Sequence, residues 1–166
     1  TANFVSQLIL APSADVKIVK DKGNGGKDRA LETFDTLYPE RRSLMKFDMN
    51  ELPKDKKIVS ATLKLYCHGG NFKGYSAQVH SVTKPWSEGT GDHSYLGKDG
   101  ATWTTADGTN LWNNPGGDYK DTVYGLSEPI TETGWKEIDI TQLVKEWYEG
   151  ILDNNGLILQ QESGVR

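Results

Sequence analysis

Between Ser87 and Pro129 the chain sets Tyr95, Trp103 and Trp112 among Gly, Asn, Asp and Thr, with hardly an aliphatic residue nearby. A flat aromatic ring offers an apolar platform to the C–H face of a sugar. Neighbouring amides, carboxylates and guanidinium groups can then hydrogen-bond the sugar's hydroxyls. The same rings could instead anchor a long loop as a lid, since a loop of this length needs something to hold it. Trp103 follows Ala101-Thr102 in a short β-prone run and is expected to be partly buried. Trp112 stands directly before the tight polar turn Asn113-Asn-Pro-Gly-Gly117 and is expected to be the exposed platform.

Oxygen ligands suited to a hard cation are also frequent in the turns. Asp118 and Asp121 are the calcium candidates, alongside the glycine-flexed run Asp21 to Asp28 and Asp153 with Asn154 and Asn155. None has the spacing of an EF-hand loop, and Asp, Asn and Gly are also ordinary turn formers. Catalytic motifs are missing. The sequence has no G-x-S-x-G, no phosphate-binding G-x-x-x-x-G-K-[ST] and no H-E-x-x-H. His68, His80 and His93 fall at no ligand spacing and read as ordinary polar positions. Glycoside hydrolysis needs two carboxylates at a set separation, and nothing singles out such a pair.

The elements that must position these residues are mostly strands. Ile58 to Tyr66 alternates with period two, Ala61, Leu63 and Leu65 on one face and Thr62, Lys64 and Tyr66 on the other. Similar alternation runs through Ser43 to Phe47, Ala77 to Val82, Trp135 to Ile140 and Gly156 to Gln160. Val5 to Leu10 and Val16 to Val19 are expected strands near the start. Turn signals at Pro53-Lys-Asp55, Gly69-Gly-Asn71, Pro115-Gly-Gly-Asp118 and Asp153-Asn-Asn-Gly156 separate them. Ala61, Leu63, Leu65, Val79, Ile138 and Leu159 form the expected core. One helix is predicted over 140–149. Ile140, Leu143, Val144 and Trp147 make its apolar stripe, Asp139 and Gln142 a capping-box-like start and Gly150 its stop. The pattern is an all-β antiparallel sandwich with one short helix, in a single domain over 1–166.

Composition limits the partners. The 166 residues carry 19 basic and 23 acidic side chains, a net charge of −4, and no stripe of Lys and Arg. Nucleic acid is therefore not expected as a partner. No apolar run approaches the roughly 20 residues of a membrane span, so membrane insertion is not expected either. The single Cys67 excludes an internal disulfide, and its place at a strand end suggests a buried, inert thiol. The chain reads as a piece of something longer, with neighbouring domains.

Several segments in order resemble the DNRLRE domain, also called the disaggregatase-related repeat. They are Arg41-Arg-Ser-Leu-Met-Lys-Phe-Asp48, Leu52-Pro53, Ile58 to Tyr66, Pro85-Trp-Ser-Glu-Gly89 and Ala101-Thr-Trp103. Trp112-Asn-Asn-Pro-Gly-Gly-Asp118, Trp135 to Thr141 with Val144, Trp147 and Gly150, and Asn155-Gly-Leu157 complete the set. The six-letter signature aligns with Lys27 to Glu32, where Arg29 and Glu32 match. That group is similar to alginate-type carbohydrate-binding modules. The resemblance implies a jelly-roll-like β-sandwich, extracellular or on a cell surface, that binds acidic polysaccharide without catalysis, often with structural calcium. On that reading Arg29, Arg41 and Arg42 pair with sugar carboxylates, whose geometry a guanidinium fork matches. Arg41 and Arg42 are neighbours on or beside a strand, so at most one faces a groove. The alternatives are a structural repeat of an archaeal surface protein and, with less behind it, a fragment of a polysaccharide-degrading enzyme.

Overall fold

A computed structural model describes residues 4–33, 39–70, 72–93 and 99–162. Its strands are β1 (Ala14–Val19), β2 (Arg41–Lys46), β3 (Thr62–Cys67), β4 (Ala77–Ser81), β5 (Gly125–Leu126), β6 (Gly134–Asp139) and β7 (Leu157–Gln161). The one α-helix, α1, covers Thr141–Tyr148. All pairings are antiparallel. Five strands form a sheet in the order β1-β2-β7-β4-β5, and β3 pairs with β6 in a second. The expected all-β sandwich is present, with sequence-distant neighbours β2–β7 and β7–β4 in the jelly-roll-like manner.

Alternation along the strands sends neighbouring residues to opposite faces of the larger sheet. Met45, Ala77, Val79, Leu157 and Leu159 face one core, which they share with Leu63 of β3, Ile138 of β6 and the helix. Val16, Ile18, Leu44 and Ile158 face a second core on the other side. Every residue of β4 and β7 is buried for this reason, because their sheet is covered on both faces. The expected core residues Leu63, Val79, Ile138 and Leu159 are buried, and Ala61 and Leu65 pack against them half-buried.

The helix runs where its stripe predicts, with Leu143, Val144 and Trp147 buried. Its start differs by one residue. Ile140 is the N-cap and offers no side-chain bond, while the Asp139 carboxylate accepts from the Thr141 amide at 2.9 Å and the Thr141 hydroxyl at 2.6 Å. Gln142 turns outward and donates to Glu146 at 3.1 Å, so there is no capping box. Gly150 takes φ +73°, the left-handed stop expected of it. Among the described residues, no helix is long and apolar enough to cross a membrane.

Two expectations fail. Val5 to Leu10 is not a strand: Phe4, Val5 and Ile9 lie largely exposed. A strand needs an edge to join, and the outer edge of β1 is met by Gly25, which bridges to Lys17. Cys67, expected to be buried, is half-buried at the end of β3, with its thiol 3.7 Å from the Gly69 carbonyl.

Leu143 is fully buried where the helix meets both sheets' core. Leu143→Ala should cost about 2–5 kcal/mol, read as a lowered urea midpoint with an unchanged slope.

Candidate functional site

The irregular segment after β4 is a lid. Trp86, Ala101, Trp103, Ala106 and Trp112 pack on Val16, Ile18, Leu44, Val82 and Ile158 of the sheet's second face. The aliphatics missing around the tryptophans in sequence are supplied by strands distant in the chain. Backbone bonds hold the segment in shape: Ser87 N–H to Ala106 O, Trp112 N–H to Thr104 O and Gly116 N–H to Trp103 O. Two of the indole N–H groups are also bonded, Trp112 to Thr102 O at 2.9 Å and Trp86 to Asn155 O at 2.6 Å. Trp112 is 4% exposed and Trp103 7%. The expectation of Trp112 as an exposed sugar platform is therefore corrected. It anchors the lid, and so does Trp103.

Arg42 is brought to the same lid. Its guanidinium carbon lies 5.0 Å from the Trp103 ring centre and 5.6 Å from that of Tyr119, and it donates to Gly116 O at 3.0 Å. Gly116 has φ +95°, and a Cβ there would sit 2.7 Å from the guanidinium and 2.9 Å from Trp103. Only glycine allows that approach. Arg41, next in the strand, points to the opposite face, as alternation requires. There it donates to Glu32 at 2.7 Å. Arg29 is exposed. Tyr95 lies outside the described residues.

Asp118 and Asp121, the calcium candidates, sit in different surroundings. The buried Asp118 accepts the Asn113 amide on one oxygen at 2.8 Å and the Asn114 amide on the other at 2.9 Å. It shapes the turn after Trp112. Asp121 is exposed, and no cluster of three or more acidic, His or Cys side chains suited to a metal occurs among the described residues.

Sequence reasoning named Asp21 to Asp28 and Arg29 in the connection between β1 and β2, but not the structural roles of Asn24 and Lys17. Asn24 is fully buried and all of its amide is used: Nδ2 donates to Glu88 O at 2.7 Å and Ala101 O at 2.8 Å, and Oδ1 accepts from Gly26 at 3.1 Å and Gly91 at 2.8 Å. It pins this connection to the start of the lid. Beside it, the buried Lys17 ammonium meets Asp28 at 2.7 Å and Glu32 at 2.6 Å. Glu32 also holds Arg41, and Asp28 holds His93 at 2.8 Å. His93 is thus a member of a charged network, not the isolated polar residue its sequence context suggests. Partial burial raises the Asp28 carboxyl, but hydrogen bonds from Lys17 and His93 outweigh it and hold the group below its ordinary range.

Two predictions follow from this geometry. Trp112→Ala should destabilise the fold by about 3–5 kcal/mol, measured by chemical unfolding. The Asp28 contact stabilises above the ordinary aspartate pKa and is lost as pH falls through the lowered folded value. Asp28→Asn should thus be the less stable protein near neutrality, and the gap in urea midpoint should close below about pH 4.

Comparison with known protein families covers both the sandwich and the lid. No curated protein matches the sequence. The model of carbohydrate-binding module family 96 matches residues 7–165, nearly the whole chain and every element described above. Sheets, helix and lid together are thus one family unit, and the chain belongs to carbohydrate-binding module family 96.

Proposed function

We propose that this domain binds an acidic polysaccharide, without catalysis, through the exposed cations Lys22, Lys27 and Arg29 of the connection between β1 and β2, as part of an extracellular or surface protein. Membership of a carbohydrate-binding family supports a polysaccharide partner. Charge distribution supports its acidity, and is the observation that carries the reading. The connection itself, residues 20–40, holds four basic and five acidic side chains, so its exposed positive charge rests on which of them are paired. Several of those acids are already occupied: Asp28 and Glu32 by Lys17, Glu40 by Lys20 at 2.7 Å. Lys22, Lys27 and Arg29 stand exposed.

The three arginines divide the work. Arg42 is stacked under the lid and Arg41 is held by Glu32, so both fix the frame. Arg29 presents its fork to a uronate carboxylate, with Lys22 and Lys27 as point charges beside it. The network of Lys17, Asp28, Glu32 and His93, with Asn24, holds the connection in one shape, which lowers the entropy lost on binding. The likeness of Arg41 to Asp48 and of Trp112 to Asp118 to the DNRLRE domain points the same way.

Calorimetric titration with alginate and polygalacturonate oligosaccharides, beside neutral ones, tests the reading. Combined Lys22→Gln, Lys27→Gln and Arg29→Gln should weaken acidic-glycan affinity about tenfold and flatten its dependence on salt, with the melting temperature kept. Unchanged affinity in that variant would overturn the assignment.

A further inference from the structure

Four of the five tryptophans are at most 7% exposed, and the fifth, Trp135, is 69% exposed. It stands on β6 directly opposite Tyr66 of β3, which is 55% exposed. The two rings meet edge to face, 5.4 Å between centres and 76° between planes. Both belong to the outer face of the two-stranded sheet, whose inner face carries Leu63 and Ile138 into the core. The platform is therefore mounted on rigid backbone, and its rings are fixed by each other.

We propose that this face is a second glycan site, separate from the connection between β1 and β2, that takes a neutral polysaccharide chain. The next rungs of the same face are Lys64 opposite Glu137 and Thr62 opposite Asp139, so the strip spans roughly 14 Å along the strands. Its charges decide the occupant. Lys64 is matched by Glu137 at 3.1 Å, and Asp139 adds a negative charge beside Thr62. With no spare cation, the strip offers an acidic glycan only repulsion, while its hydroxyl, ammonium and carboxylate groups can bond the hydroxyls of a neutral one. The aromatic pair supplies the stacking surface.

A cross-strand aromatic pair also stabilises a sheet, so the decisive readout is access to the ring. The class of occupant rests on family membership and not on the acidic-glycan reading, and the two can fail separately. Because the other tryptophans are buried, acrylamide quenching of the intact protein reports on Trp135. Cellohexaose or mannohexaose should shield it, and Trp135→Ala should weaken that binding by about tenfold or more while leaving alginate binding intact. Tyr66→Ala should do the same to a smaller extent. Quenching unchanged by either neutral hexasaccharide would overturn the proposal, and this measurement needs no variant to fold. Calorimetric alginate binding that is lost in Trp135→Ala would merge the two sites and also overturn it. So would concentration-dependent shielding without sugar, with a dimer in sedimentation, which would make the face a contact between copies.

Discussion

The larger sheet is apolar on both sides, and the rest of the molecule follows from the need to keep both sides from water. Met45, Val79, Leu157 and Leu159 are covered by the β3–β6 pair and the helix. Val16, Ile18, Leu44 and Ile158 have no second sheet to meet, and the lid covers them with Trp86, Trp103 and Trp112. A large ring buries much area from few residues, which lets an irregular polar segment do the work of a sheet. The lid's remaining polar groups are then satisfied locally, by indole N–H bonds, the Asp118 turn and backbone pairs across the loop.

That arrangement constrains where a ligand can go. The lid covers one face of the larger sheet, and the smaller sheet with the helix covers the other, so the side chains between these layers are buried. What remains available is the surface of the connections and the outer face of β3–β6. Beside the connection between β1 and β2, the buried Lys17 of β1 holds two carboxylates of that connection, which also carries exposed cations. Burying an ammonium is tolerable only with such partners. Once in place they hold the backbone that carries Arg29 and Lys27. On β3–β6 the surface is aromatic and without excess positive charge. The two surfaces differ in chemistry.

Much of this fold was legible in the sequence, because short-range periodicity reports directly on which side of an element meets water. The alternation of Ala61 to Tyr66 and the stripe Leu143, Val144, Trp147 located β3 and α1 with their inward faces. Ordered segments across the chain were enough to suggest a carbohydrate-binding module of the β-sandwich kind, and the family match over residues 7–165 bears that out at the level of the family. Val5 to Leu10 shows the limit of the method: alternation states which side would be buried, not whether an edge exists to receive the strand.

By itself, then, the sequence determined the strand and helix faces, the all-β class and the family, all of which depend on neighbours a few residues apart or on the order of segments. Tertiary structure alone decided which aromatic and charged side chains reach the surface. Trp112 is buried and Trp135 exposed, although the first lies in a polar turn and the second in a regular strand. Burial of each depends on whether a distant layer covers it, and Asn24 likewise finds its partners 64 to 77 residues away. No local pattern encodes such contacts, because they exist only once the sheet has assembled and the lid has closed over its second face.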